Sequence, residues 1–299
     1  MSHIYGALEA GGTKMVLSIL DESGTMSERV TIPTESPNKT VELMIDFFAK
    51  RKIDALGICS FGPLDLNPKS DTYGYITSTP KLQWRDYPLL PIMSTALQVP
   101  VQLDTDCNGA ALAEVKMGAA KSGGSCLYVT VGTGIGGGIA MHGHPVHGMM
   151  HPEMGHQLVV PDPRDPSPVG FCPYHKGCLE GLASGPALEK RWGMPAKDIP
   201  QDHVAWDIEA GYLAQMCHNA IMMMSPAKIV LGGGVMQQEF LFPLIRQKTQ
   251  ALLGGYINTP NLANGLENYI VQPGLGMNSG VTGAWLLAKK ALEDAQKEQ

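Results

Sequence analysis

A chain of 299 residues with a formal net charge of −6 and no block of Lys or Arg makes a poor partner for nucleic acid or an anionic membrane. Hydrophobic residues at 44% and charged residues at 17% exclude global disorder and allow a sizeable core, in one large domain or in two lobes. The opening segment lacks the basic region and long apolar stretch of a secretion signal, and apolar runs such as Ala220–Met224 are far too short for a membrane span; the expectation is a soluble, cytoplasmic protein.

Residues 4–10 (IYGALEA) and 15–20 (MVLSIL) read as strands flanking a Gly-Gly-Thr-Lys turn, with a third strand at 28–34. Helical spacing follows around 41–51, and a short apolar strand at 54–60 ends in Phe-Gly-Pro. A loop rich in Thr, Ser, Pro and Tyr runs to around residue 84. Next come a helix at 89–97, a strand at 101–106 and an Ala-rich helix at 108–117. A similar order then recurs. Strands at 125–132 and 138–143 flank a second glycine-rich turn, and a Pro/Gly/His/Cys-rich insertion fills 144–186. A long helix covers 204–224, strands lie at 228–234 and 269–273, and a terminal helix runs from 278 to 290. The repeated plan, a hairpin with a Gly/Thr turn and then alternating strands and helices, predicts two α/β lobes with a cleft between them.

Three glycine-rich turns directly follow apolar strands: Gly11-Gly12-Thr13-Lys14, Gly132 through Gly138, and Gly232-Gly233-Gly234. Glycine lets backbone N–H groups approach phosphate oxygens, and a threonine hydroxyl adds a donor. Each turn taken singly also reads as an ordinary tight turn. Gly132, Gly134 and Gly137 match G-x-G-x-x-G, but a returning strand follows where a dinucleotide site needs a helix, and no acidic residue about twenty positions on stands at a strand end. No P-loop pattern occurs.

Asp104-Thr105-Asp106-Cys107-Asn108 lies where a strand hands over to a helix. Helix capping is one reading of it. The other is a carboxylate at the carboxyl end of a strand, where ligands bind, able to take a proton from an attacking hydroxyl. The densest ligand pattern is His156 followed by Cys172-x-x-His175-x-x-Cys178, a two-thiolate, two-imidazole set suited to structural zinc. His142, His144, His147 and His151 compete as the fourth ligand. The other cysteines, Cys59, Cys107, Cys126 and Cys217, stand alone and read as small buried apolar residues.

These motifs, in this order, resemble the ROK sugar kinases, and among them the bacterial zinc-containing fructokinases, over essentially the whole chain. The matching stretches are EAGGTK (9–14), SFGP (60–63), YGYITSTPKLQW (73–84), DTDCNGAALAE (104–114), VGTGIGGG (131–138), HPEMGH (151–156), CPYHKGCLEGLASGP (172–186) and LGGGVM (231–236). The resemblance implies a two-lobed α/β fold of the actin-like ATPase (ribonuclease H-like) class with a zinc-bound loop inserted in the second lobe. Lobe boundaries follow: 1–117, with a terminal helix at 281–299 packed back on it, and 118–280, carrying the zinc loop at 144–186.

The resemblance also assigns roles. Gly11, Gly12, Thr13 and Lys14 match the first phosphate motif, where the family often has Asp in place of Glu9. Thr133 and Gly134 match the β/γ-phosphate turn, and Pro186, Gly233 and Gly234 the adenosine side. Asp106 falls on the catalytic base. Thr105 stands where many glucokinase-type relatives carry Asn. Glu153 and His156 match the E-x-G-H sugar motif, Glu180 follows the last zinc ligand, and Gly62 and Pro63 face the sugar. The implied activity is phosphorylation of fructose to fructose 6-phosphate from ATP with Mg²⁺, by a homodimer with structural Zn²⁺ on His156, Cys172, His175 and Cys178. Mannose, glucose or broad hexose specificity is the neighbouring reading, and a non-catalytic sugar sensor a more distant one. The first phosphate motif starts within ten residues of Met1, so no DNA-binding domain is expected before it.

Overall fold

The computed structural model describes residues 3–262 and 264–297; positions 298 and 299 of the expected terminal helix lie outside the described residues. In chain order the strands are β1 (Ile4–Ala10), β2 (Lys14–Asp21), β3 (Met26–Pro33), β4 (Ala55–Ser60), β5 (Val101–Thr105), β6 (Ser125–Val131), β7 (Ile135–Met141), β8 (His144–Pro145), β9 (Ile229–Gly232) and β10 (Ile270–Val271). The α-helices are α1 (Pro37–Ala49), α2 (Leu89–Leu97), α3 (Asp106–Lys116), α4 (Leu179–Ala183), α5 (Gly185–Trp192), α6 (Val204–Met224), α7 (Leu241–Leu253) and α8 (Ser279–Lys297). They form two compact units: residues up to Ala113 with His144–Pro152 and the chain from Leu275, and Glu114–Gly143 with Glu153–Gly274.

The first unit is built on a sheet of order β3-β2-β1-β4-β5. β1, β2 and β3 are antiparallel neighbours, whereas β4 and β5 run parallel to β1. Apolar side chains of α1 and α2, among them Met44, Phe48, Leu89 and Met93, share a core with Leu8, Leu17, Leu56 and Ile58 of the strands. α8 packs against β1, β4 and β5. Covered strands read as continuous apolar runs, and β4 is buried at all six positions. The edge strand β3 alternates half-buried and exposed residues along its whole length.

Three glycines let α8 and α3 approach β4. A Cβ on Gly57 would lie 1.8 Å from the Ala284 carbonyl oxygen, one on Gly283 2.2 Å from that of Gly109, and one on Gly109 2.1 Å from Cys59 Sγ. Two of these three obstacles are backbone, which cannot rotate away. Gly57→Ala should therefore destabilise the protein by about 3 kcal/mol or more, at or beyond the usual range for overpacking. Urea unfolding of the variant measures this, and a midpoint equal to wild type would contradict the close approach.

In the second unit the strands lie in the order β10-β9-β6-β7, with β6 and β7 antiparallel and β9 parallel to both β6 and β10. The register Val131↔Ile135 closes the hairpin through Gly132–Gly134 alone. The sequence reading placed the returning strand at Gly138; it starts three residues earlier, so Gly136–Gly138 belong to β7. Their smallness serves packing: a Cβ on Gly137 would meet Met154 Sδ at 2.2 Å, and one on Gly155 would meet the Ile135 carbonyl oxygen at 1.7 Å. The segment after Glu153 thus lies directly on β7.

Helices α4, α5 and α7 were not anticipated. α5 follows α4 after Ser184, whose hydroxyl accepts the Ala187 N–H at 3.4 Å, and it ends at left-handed Gly193. The Pro-rich stretch before Cys172 is pinned by buried Asp165, which takes Arg191 Nε at 2.8 Å and the Tyr212 hydroxyl at 2.6 Å. No helix among the described residues is long and apolar enough to cross a membrane.

Candidate active site

Parallel pairing aligns the carboxyl ends of three strands in the first unit. Ala10 pairs with Ser60, and Ser60 with Thr105, so Gly11, Phe61 and Asp106 leave one edge of the sheet side by side. The first turn is closed by the Gly11 N–H donating to the Lys14 carbonyl at 3.0 Å, and the Thr34 hydroxyl donates to the Gly11 carbonyl at 2.8 Å. The N–H groups of Gly12 and Thr13 enter no backbone hydrogen bond among the described residues. Glu9, just before the turn, abuts the first turn of α8, where a Cβ on Gly280 would meet its Cδ at 2.6 Å. Burial, reinforced by the Asp106 carboxylate, pushes the Glu9 carboxyl above its ordinary range, while Arg29 and Lys14 oppose that rise.

The strand-to-helix junction divides its labour. Thr105 Oγ1 accepts the Asn108 N–H at 3.1 Å and so caps α3. Asp104 is buried and holds the bend: its Oδ1 accepts the Thr105 N–H at 2.7 Å and Asn108 Nδ2 at 2.8 Å, and its Oδ2 lies 2.9 Å from His147 Nε2. Asp106 opens α3 and accepts the N–H of Cys107 at 2.8 Å. Burial raises its carboxyl above the ordinary aspartate range, with that N–H working in the opposite direction. Capping and a carboxylate at the strand end therefore coexist in adjacent residues.

Gly62 and Pro63 are joined by a cis peptide bond. The following Leu64 N–H donates to Nε2 of buried His151 at 2.9 Å, and burial keeps that imidazole below its usual pKa. His147 and His151, considered from sequence only as metal ligands, instead dock their segment on Asp104 and Leu64 within the first unit. The Asp104–His147 contact also lifts the histidine pKa. Position in the sequence alone carried no signal for either role.

The second unit brings together residues far apart in sequence. The Gly132 N–H donates to the Gly134 carbonyl at 2.9 Å, and the Gly132 carbonyl accepts the Gly185 N–H at 2.8 Å, so the Thr133 turn meets the first turn of α5 beside Pro186. Gly233 takes φ +95°, and any Cβ there would fall 2.4 Å from the Val131 carbonyl oxygen. The Gly233–Gly234 step therefore also lies against the base of that turn. Glu180 Oε2 accepts the Ile135 N–H at 2.9 Å, and Oε1 lies 3.9 Å from His156 Nε2. The exposed Glu153 precedes the short helical turn that ends at His156.

His156, Cys172, His175 and Cys178 converge, with one donor atom from each all within 4.8 Å of one another; His142, His144, His147 and His151 are not part of the set. Zinc bonds of roughly 2.3 Å to sulfur and about 2.0 Å to nitrogen imply tetrahedral edges of about 3.5–3.8 Å. The separations of His156 Nδ1 from the two sulfurs, 3.8 Å each, and of His175 Nδ1 from Cys172 Sγ, 3.7 Å, come within roughly 0.3 Å of the sulfur–nitrogen edge of about 3.5 Å. The donor set can hold a metal. His156 would bind through Nδ1, leaving Nε2 towards Glu180. Cys59, Cys107, Cys126 and Cys217 are all buried.

Residues 5–291 match the ROK family. The chain belongs to that family. It is 45% identical to a fructokinase of Pediococcus pentosaceus over 98% of this chain and all of that one, and 43% identical to a fructokinase of Streptococcus mutans over 97% and 99%. A glucokinase of Halalkalibacterium halodurans stands at 28% over 98% and 97%. The crystal structure of a ROK hexokinase from Thermus thermophilus superimposes with a TM-score of 0.78 at 28% identity, covering 98% of this chain and all of that one. The two-sheet α/β architecture is thus the actin-like ATPase fold of the ROK sugar kinases, which excludes the dinucleotide-binding reading of the Gly132 turn.

Proposed function

We propose that this ROK protein is a fructokinase that transfers the γ-phosphoryl group of Mg-ATP to O6 of fructose. The observation that carries the reading is identity of 40–45% to fructokinases along nearly the full chain, against 26–28% to glucokinases. Thr105, where glucokinase-type relatives often carry Asn, agrees with it. Asp106 is the base. It takes the proton of the attacking hydroxyl as O6 bonds to the γ-phosphorus and the bond to the bridging oxygen breaks, releasing ADP. The Gly12–Thr13 turn and the Thr133–Gly134 turn supply donors to the polyphosphate, Gly233, Gly234 and Pro186 line the adenosine, and Mg²⁺ supplies charge neutralisation when bound.

Gly62, Pro63, Thr105, Glu153, His156 and Glu180 serve the sugar in this reading. Zinc on the four converging donors has a structural role, because protein atoms fill every tetrahedral position. Thiolate ligands and otherwise free cysteines suit the reducing cytoplasm.

ADP release with Mg-ATP against fructose, mannose, glucose and N-acetylglucosamine tests the proposal. Rapid turnover with fructose and weak turnover with the others is the expected result. Equal rates with several hexoses would replace fructokinase by a broad hexose kinase, and no turnover with any of them would overturn the reading.

A further inference from the structure

The loop from residue 73 to 84 has no part in the chemistry so far, yet it is firmly built. Isolated bridges join Ile76 to Leu64 on one side and to Tyr87 on the other, and the Thr77 N–H donates to the Pro63 carbonyl at 2.8 Å. Trp84 is buried and its indole N–H reaches the Glu35 carbonyl at 2.9 Å. Buried Thr79 accepts the Lys81 N–H at 3.3 Å. This scaffold lays the Lys81 side chain on the first phosphate turn: a Cβ on Gly12 would lie 3.1 Å from Lys81 Cε, the carbon that bears the ammonium.

Two cations therefore attend this turn, and they differ in what they face. Lys14 acts on the Glu9 carboxylate. Lys81 has no ion-pair partner among the described residues, although it is half-buried. Lys81 Cε sits beside a turn whose Gly12 and Thr13 N–H groups make no backbone hydrogen bond among the described residues, and its ammonium, one bond further out and without a counter-charge, adds a positive charge at the rim of an anion cradle. A glycine at position 12 keeps the path between the two clear.

We propose that Lys81 binds the terminal phosphoryl group of the nucleotide on the Gly12–Thr13 turn. The proposal rests on the kinase reading but not on which sugar is used. The charge on the transferring group must be held through the displacement, and a lysine supplies it as a compact point charge. The alternative role, an alkyl chain that merely covers the turn, predicts different behaviour of the variants.

Lys81→Met keeps most of the apolar length and removes the charge, and Lys81→Arg keeps the charge. Calorimetric binding of ADP and of a non-hydrolysable ATP analogue, both with Mg²⁺ and without sugar, separates the two roles. Lys81→Met should weaken the ATP analogue by about 10- to 100-fold while leaving ADP within roughly twofold, as expected for loss of one charged partner. Lys81→Arg should restore most of the difference. In the turnover assay kcat of Lys81→Met should fall by about 100-fold. An unchanged ratio of ATP-analogue to ADP affinity in Lys81→Met overturns the proposal, and so does equal loss in Lys81→Met and Lys81→Arg. If the Met variant does not fold, Lys81→Gln in the same binding assay decides. A wild-type protein that binds the analogue but phosphorylates no fructose removes the substrate reading and leaves the affinity ratio to judge Lys81.

Discussion

Asp106→Asn should lower kcat with fructose by about 10²–10⁴-fold, the span expected for losing a general base. Affinities for ATP and sugar should stay within a few-fold of wild type, because asparagine has nearly the same shape and still accepts the Cys107 N–H. The base must be ionised to work, and burial raises its carboxyl above the ordinary range. The acid limb of the wild-type rate profile should therefore lie above the value of about 3.9 for a free aspartate. The same shift has a sign for stability. A carboxyl whose folded pKa is raised makes the folded state less stable as pH climbs from the unfolded to the folded value, and that loss persists at pH 7. Asp106→Asn should then unfold at the same temperature as wild type or a higher one at pH 7. Near-normal kcat in the variant would remove Asp106 from the mechanism.

Loss of the metal should reach further than the sugar. Ile135, next to the Thr133–Gly134 turn, is gripped twice from the metal side: its N–H by Glu180, just after Cys178, and its carbonyl by close contact with Gly155, just before His156. Removing the ion frees both grips. Cys178→Ser is the cleanest probe, because Cys178 Sγ also accepts the Gly181 N–H at 3.4 Å and a serine hydroxyl can still cap α4. Wild-type protein kept from chelators should contain about one zinc per chain. Cys178→Ser should contain little, melt on the order of 5–10 °C lower, and bind ATP as well as fructose less tightly. Metal analysis and thermal melting check this. Absence of zinc in the wild type, or a variant with unchanged melting and nucleotide affinity, would remove the site.

Most strands and the two longest helices, α6 and α8, were legible because each carries its own period or apolar run. The α2 and α6 boundaries match the sequence reading to the residue, and β1, β2 and β4 were bracketed by their turns. What escaped depends on partners distant in sequence. The Gly136–Gly138 run looked like more turn because glycine signals only permission, and here the permission is used by Met154 and Gly155. α4 and α5 are too short to show a period, and their starts rest on the Cys178 and Ser184 caps. His147 and His151 stood among other histidines, and only folding separated those docked on Asp104 and Leu64 from His156 of the Cys/His cluster. The Asp165–Arg191–Tyr212 anchor, which pins the Pro-rich stretch before Cys172, has no local signature at all.

Glycine-lined contact of α8 with β4 bears on how the molecule is made. The sheet of the first unit is synthesised early, but the helix that covers one of its faces, residues 279–297, leaves the ribosome only after the whole second unit. Until then the groove at Gly57 and Gly109 lies open, and β1 and β4 lack a layer of their packing. Each unit is also threaded through the other in sequence, since His144–Pro152 returns to the first unit before the second is complete. Such non-local closure slows folding and prolongs the exposure of apolar strands. Nascent chains of this protein should lean on chaperones late in translation, and truncations that remove α8 should aggregate instead of leaving a stable first unit.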